Sequence, residues 1–335
     1  MNAPSESLKP DSLHGKVADA VPNTWVYRLL PQSVWPYAQL ARWDRPIGSW
    51  LLMWPCWWAL ALAIGALMGS PDIAASWSDY VLPLGGAFAA FLLGAIAMRG
   101  AGCTYNDLVD HELDAQVART ASRPMPSGRV SRTNAKLFIA AQMAVGAGAL
   151  LYLTTFKGYL NTFAGVLALA SLVVVALYPF AKRFTNWPQF VLGLSFSWGA
   201  LMGWAVIFDE IHLPALALYA GSICWVIGYD TIYAHQDAED DALIGIKSTA
   251  LLFGDKTKLA LVVLYSAALA LFALAFSQAY TGWPAYAGLA VGGAHMIWQL
   301  IQLDIEDADN CLRLFKSNGQ FGWILFAGLM AAIVV

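Results

Sequence analysis

The stretch VLPLGGAFAAFLLGAIAMRGAGCTYNDLVDHELD, residues 81–114, carries both features on which the reading of the chain turns. Residues 81–104 are almost wholly apolar and long enough to cross ~30 Å of hydrocarbon as a helix rising 1.5 Å per residue. The nine residues that follow, Asn106 to Asp114, hold four acids. Residues 213–241 repeat the design: an apolar run, then DTIYAHQDAEDD from Asp230 to Asp241. The two strings together hold nine of the chain's 22 acidic residues. Carboxylates crowded at a membrane boundary repel one another and are costly to desolvate, so they call for a cation.

Working outward, hydrophobic residues make up 59% of the chain and charged residues 12%. A soluble domain carries roughly 25% charged residues, so this chain lacks the polar side chains to cover a water-facing surface. The expected fold is all-α: a multi-pass membrane bundle of nine transmembrane helices. The candidate spans are 47–68, 81–104, 137–155, 159–180, 188–208, 213–229, 259–276, 283–303 and 321–335. Helices are required because backbone polar groups in lipid must be satisfied within the segment. Residues 1–40 read as a flexible N-terminal tail with no cleavable signal, leading to an amphipathic stretch at 35–43; residues 41–335 read as one transmembrane domain. The four cysteines are scattered without metal-ligand spacing and read as packing residues. A net charge of −3 argues against a nucleic-acid partner.

Basic residues orient the spans. Seventeen fall in the N-terminal arm and in the loops after spans two, four, six and eight; the alternate loops carry only Lys157, and Arg99 lies within span two. The positive-inside rule puts both acidic strings on the basic side. With that side read as the cytoplasm, the chain is expected in a bacterial inner (plasma) membrane with its site facing the cytoplasm.

If each span continues as a helix into its acidic string, Asn106, Asp110 and Asp114 are spaced i, i+4, i+8, as are Tyr233, Asp237 and Asp241, and each set shares a helix face. Oxygen ligands suit Mg²⁺, which binds one or two carboxylates together with substrate phosphates. Arg119, Arg123, Lys182, Arg183 and Lys247 are placed to balance the charge of a diphosphate. A cation-coupled transporter is the rival from another class; it would bury its carboxylates near mid-membrane on broken helices, whereas these sit at span ends.

The motifs NDxxDxxxD (Asn106–Asp114) and YxxxDxxxD (Tyr233–Asp241) occur with Arg42-Trp-Asp-Arg-Pro-Ile-Gly48, with the run from Arg119 to Gly128, with Tyr178-Pro-Phe-Ala-Lys-Arg183, with Pro188-Gln189 and with Gly245-Ile-Lys-Ser-Thr-Ala250. In this conjunction the chain resembles the UbiA superfamily of intramembrane aromatic prenyltransferases, and within it the hydroxybenzoate branch of ubiquinone biosynthesis. The resemblance runs from about Leu40 to the C-terminus. It implies transfer of a polyprenyl group from polyprenyl diphosphate to the ring carbon of 4-hydroxybenzoate ortho to the hydroxyl, with Mg²⁺ as cofactor and membrane lipid around the prenyl tail. It further implies one Mg²⁺ on Asn106, Asp110 and Asp114 and another on Asp237 and Asp241, with Asp107 a weaker ligand. Lys182, Arg119, Arg123 and Lys247 would contact diphosphate, and the rings of Tyr178 and Tyr233 would stabilise an allylic cation. Arg183, with Arg45 as substitute, would take the acceptor carboxylate, and Asp230 is one candidate base. Gly94, Gly193 and Gly199 would either open a crevice for the prenyl tail or serve close helix packing. Relatives with another aromatic acceptor remain an alternative within the superfamily.

Overall fold

The computed structural model describes residues 17, 24–68, 77–115, 120–243 and 245–334, excluding the side chains of 77–81, Leu113 and 239–241. Its helices are α1 (Trp25–Leu29), α2 (Trp35–Leu40), α3 (Ile47–Met68), α4 (Trp77–Val109), α5 (His111–Asp114), α6 (Arg132–Thr155), α7 (Thr162–Phe184), α8 (Pro188–Ser197), α9 (Gly199–Phe208), α10 (Leu213–Ala234), α11 (Ala238–Leu243), α12 (Thr249–Phe253), α13 (Thr257–Gln278), α14 (Trp283–Gln302) and α15 (Ala308–Val334). Among the described residues there is no strand. Among the described residues, eight segments are long and apolar enough to cross a membrane. The expected eighth span, α14, is helical over 20 residues but is not among them; His295, Gln299 and Gln302 dilute its apolar character. The expected fifth span is two helices, α8 and α9, meeting at Trp198.

The chain divides into two compact units, 1–49 with 93–149, and 50–92 with 150–335. In the first, part of the expected tail is folded: α1 and α2 bury Val26, Ala38, Gln39 and Leu40. Leu40 joins Met125, Val130 and Ala135 in an apolar cluster with Tyr37, Leu108 and Phe138 against it. Residues 1–16 of that tail lie outside the described residues.

In the second unit α10 is the central post, with α8, α13 and α15 packed around it. A run of aromatic rings fills the space: Tyr229 lies 4.9 Å from Trp225, and Trp225 lies 5.0 Å from Trp58 and 5.3 Å from Phe321. Side-chain contacts pair buried polar groups here, as is favourable for groups withdrawn from water. Trp225 Nε1 donates to Asn318 Oδ1 at 2.9 Å. Gln299 accepts from Tyr265 and donates to Ser317, tying α13, α14 and α15 together. Small residues let backbones approach closely. A Cβ on Gly193 would meet Ile223, one on Gly199 would meet Cys56, and one on Gly94 would rest 3.7 Å from Ala149. Gly193 and Gly199 therefore serve packing, whereas at Gly94, in the first unit, a Cβ would make only an ordinary contact. Cys56, Cys103 and Cys311 are buried and Cys224 half-buried, all free thiols, as a packing role requires.

Candidate active site

The first acidic string begins on α4, but the helix does not run through it. Asp110 forms a bend between α4 and α5. The turn spacing survives: Asp110 N donates to the Asn106 carbonyl at 2.9 Å, and Asp114 N to the Asp110 carbonyl at 2.8 Å. Asn106, Asp110 and Asp114 thus keep successive-turn spacing across the bend. Asp110 is 2% exposed, while Asn106 and Asp114 are half-buried. Burial pushes the Asp114 carboxyl above its ordinary value; the Arg123 guanidinium opposes this, and the charges of Asp107 and Asp110 add to it.

The loop from Thr120 to Val130 delivers Arg123. Thr120 Oγ1 donates to the Asp114 carbonyl at 2.7 Å, and Arg123 N donates to the Thr120 carbonyl at 2.9 Å. Gly128 takes the left-handed conformation, φ 75°, that lets the loop turn. Met125 and Val130 anchor it in the apolar cluster. Arg129 braces it from behind, donating to Gln39 Oε1 and the Ser122 carbonyl. Arg123 Nη1 then lies 3.1 Å from Asp114 Oδ2. Arg119 lies outside the described residues.

Arg45 is held 3.1 Å from Asp44, a carboxylate only 1% exposed. Arg99 lays its guanidinium over Gly48, where a Cβ would come within 2.5 Å of Nε. Asp107, the weaker ligand candidate, is fully buried and paired with Arg42.

The second string departs further from a continuous helix. After α10 ends at Ala234, a 3-10 turn spans His235–Asp237 before α11 resumes. Gln236 Nε2 donates to the Tyr233 carbonyl at 3.0 Å, competing for the oxygen that an α-helix would give to Asp237 N–H. A 3-10 turn advances about 120° per residue where an α-helix advances about 100°. The i, i+4, i+8 stripe of Tyr233, Asp237 and Asp241 is therefore corrected to a set rotated at this turn. Tyr233 and Asp237 are half-buried; the side chain of Asp241 lies outside the described residues. The Tyr233 ring packs 4.6 Å from that of Phe315.

Lys182, Arg183 and Lys247 belong to the same unit, and the backbone brings two of them together: Lys247 N donates to the Lys182 carbonyl at 3.2 Å. The loop carrying Lys247 is pinned by Gln189, whose Oε1 accepts from Thr249 N at 2.9 Å, and by a 2.6 Å hydrogen bond between the Thr231 and Thr249 hydroxyls. Ser248 caps α12 through Leu251 N. Arg183 is exposed, 5.6 Å over the Phe180 ring, and Tyr178 is half-buried one turn earlier on α7. Gln189 and Thr249, which the sequence presents only within motifs, hold the lysine loop through a contact between residues 60 apart in the chain.

Among the described residues no three His, Cys, Asp or Glu side chains converge closely enough to hold an ion by themselves. The first string nonetheless fits a hard cation. Its donors are all oxygen, Asp110 and Asp114 are withdrawn from water, and burial raises the Asp114 carboxyl, with the charges of Asp107 and Asp110 adding to it. A cation held by such a set would complete its shell with water or phosphate oxygens.

An all-helical membrane bundle with acidic strings at helix ends and arginine and lysine loops beside them is the framework of an intramembrane transferase. The chain belongs to the UbiA prenyltransferase family, whose pattern it matches over residues 52–325. It is 44% identical over 308 residues to the mitochondrial 4-hydroxybenzoate polyprenyltransferase of Arabidopsis thaliana, covering 92% of this chain and 71% of that protein. The ligand-free structure of a UbiA homologue from Aeropyrum pernix K1 shares the fold with a TM-score of 0.62 at 23% identity, covering 82% of this chain and 97% of that one. A UbiA homologue from Archaeoglobus fulgidus, bound to GPP and Mg²⁺, does so with a TM-score of 0.57 at 18% identity, covering 90% and 100%.

These findings correct the expected location. The Arabidopsis relative is named as mitochondrial, and so are relatives from Rattus norvegicus and Homo sapiens. These names overturn the expected bacterial plasma membrane, and with it the cytoplasm-facing site. The basic-residue count identifies one face of a bilayer, not which bilayer it is.

Proposed function

We propose that the chain transfers a polyprenyl group from a polyprenyl diphosphate to the ring carbon of 4-hydroxybenzoate ortho to its hydroxyl, releasing diphosphate. The observation that carries this reading is the 44% identity, over 92% of the chain, to an enzyme named for that acceptor. Asn106, Asp110 and Asp114 would hold one Mg²⁺, and Asp237 and Asp241 a second. The bound metal supplies charge stabilisation to the departing diphosphate oxygens.

The chain's own groups do the rest. Arg123, Lys182 and Lys247, with Arg119, bind the diphosphate through charge-assisted hydrogen bonds. The carbon–oxygen bond of the prenyl diphosphate breaks with its electron pair on diphosphate, and the phenol ring attacks the allylic carbon. The displaced ring proton leaves to a base, for which Asp230 is a candidate. The π-faces of Tyr233 and Tyr178 stabilise the allylic charge, and the apolar bundle keeps water from capturing it. Arg183 takes the acceptor carboxylate. The pairing of Arg45 with Asp44 makes Arg45 the weaker choice.

The purified chain, given 4-hydroxybenzoate, a polyprenyl diphosphate and Mg²⁺, is expected to form the prenylated acid, and EDTA is expected to abolish the product. Product formation undiminished by EDTA would remove the metal assignment; turnover of a different aromatic acceptor in preference would reassign the substrate.

The Asp114 carboxyl adds a pH dependence. Its folded-state value lies above the ordinary one, so without metal it favours folding below that ordinary value and loses the contribution as pH rises through the folded-state value. A divalent cation must displace the proton, so metal affinity is expected to climb by up to about tenfold per pH unit across this range. Melting of the detergent-solubilised protein with and without Mg²⁺ should show stabilisation by the ion growing as pH rises above the ordinary carboxylate value. A constant increment would mean that Asp114 does not meet the ion.

A further inference from the structure

Asp107 lies in the acidic string, yet its partners are arginines. Its Oδ1 accepts a 2.6 Å charge-assisted hydrogen bond from Arg42 Nη2, 65 residues earlier in the chain. Arg123 Nη1 is 3.5 Å from the same oxygen and 3.1 Å from Asp114 Oδ2. Asp107 is fully buried, and its Oδ2 has no hydrogen-bond partner among the described residues. Arg42 reaches it from an unusual backbone: φ is 58°, in the left-handed region that residues with a Cβ rarely occupy. The same guanidinium donates through Nη1 to the Gln39 carbonyl at 2.7 Å, so its plane is fixed at both ends. Non-glycine residues persist in that conformation where the surrounding structure over-determines them.

A carboxylate withdrawn from water demands a cation in contact. Two are near Asp107, and the shorter contact belongs to Arg42. Because Arg42 meets that demand, Arg123 makes its hydrogen bond to Asp114 instead. Without Arg42, the remaining guanidinium near Asp107 among the described residues is that of Arg123, and the attraction would draw it off Asp114.

We propose that Arg42 is a positioning residue for the transfer reaction. It neutralises Asp107, which is not itself a metal ligand, and so keeps Arg123 on Asp114 and available to a diphosphate. The proposal rests on the diphosphate reading above.

The test compares the full-length protein with Arg42→Gln, Arg42→Gly, Asp107→Asn and the double variant Arg42→Gln/Asp107→Asn. It measures kcat, KM for a polyprenyl diphosphate and the half-saturating Mg²⁺ concentration. Arg42→Gln is expected to raise KM about tenfold, with kcat and half-saturating Mg²⁺ moving less than threefold. Removing the Asp107 charge as well is expected to bring KM back to within threefold of the unsubstituted protein. Arg42→Gly keeps the left-handed backbone at ease but loses the charge, so it is expected to match Arg42→Gln in KM; a backbone role would leave it near normal and overturn the proposal. If Arg42→Gln fails to accumulate in membranes, the glycine and double variants still decide. A half-saturating Mg²⁺ raised tenfold or more by Asp107→Asn would make Asp107 a ligand, and single effects that simply multiply in the double variant would remove the coupling; either overturns the proposal. No turnover by the unsubstituted protein would instead overturn the transferase reading, seen before any variant is compared.

Discussion

Asp110→Asn is expected to lower turnover by about 10³-fold, the upper range for removing one electrostatic stabiliser of a developing anion, while the protein still inserts in membranes with unchanged helicity. Asp110 is 2% exposed at the bend between α4 and α5, so its carboxylate is withdrawn from water. Asparagine keeps the size and one oxygen but removes the charge. The backbone bonds on either side, Asp110 N to Asn106 O and Asp114 N to Asp110 O, involve no side chain and should persist. Asp237→Asn is expected to do the same from the second string. Mass-spectrometric detection of prenylated acid gives the readout. Turnover within tenfold of normal in the purified Asp110 variant would remove the first string from the metal assignment.

The second large effect is on stability. Gly203→Val should destabilise the chain by about 3 kcal/mol, at the upper end of the usual cost of overpacking a filled interior. A Cβ at Gly203 would stand 2.8 Å from the Ala59 Cβ and from Leu60 N, and closer still to the Cys56 carbonyl oxygen. Two of these three are backbone atoms of α3, so no rotamer change relieves the clash and α3 and α9 would have to separate. By contrast, a Cβ at Gly48 meets only the far end of the Arg99 side chain, which can swing away. Gly48→Val should therefore cost less. Thermal unfolding in detergent, followed by helical circular dichroism, ranks the two; equal melting temperatures would show that α3 and α9 yield.

Which parts of this were legible beforehand depends on the distance over which each is specified. The apolar runs are local, so the membrane bundle and most span limits could be read directly; α3 starts at Ile47 as expected, and α10 at Leu213. The expected Asn106–Asp110–Asp114 spacing survives because successive-turn spacing needs only nearby backbone bonds. The 3-10 turn at His235–Asp237 escaped because it involves a side-chain competitor, Gln236, for one carbonyl, and propensity alone does not report that. The span through α14 was read from its apolar background, while its Gln299 side chain serves a polar clasp to α13 and α15. The location was missed because charge asymmetry reports a side of a membrane and carries no label for the organelle.

Residue type and spacing along the chain determined by themselves that this protein is a helical membrane bundle with acidic strings at helix ends suited to a cation, because lipid allows few backbone solutions and clustered carboxylates few purposes. The transferase activity came through the family resemblance. Only the tertiary structure decided that Asp107 is held by Arg42, that Arg45 is paired with Asp44, that Gln189 and Thr231 pin the Lys247 loop, and that glycines such as Gly199 mark helix contacts. Ion pairs and close contacts between residues far apart in the chain have no signature in local composition; they exist only once folding has brought the partners within a few ångströms.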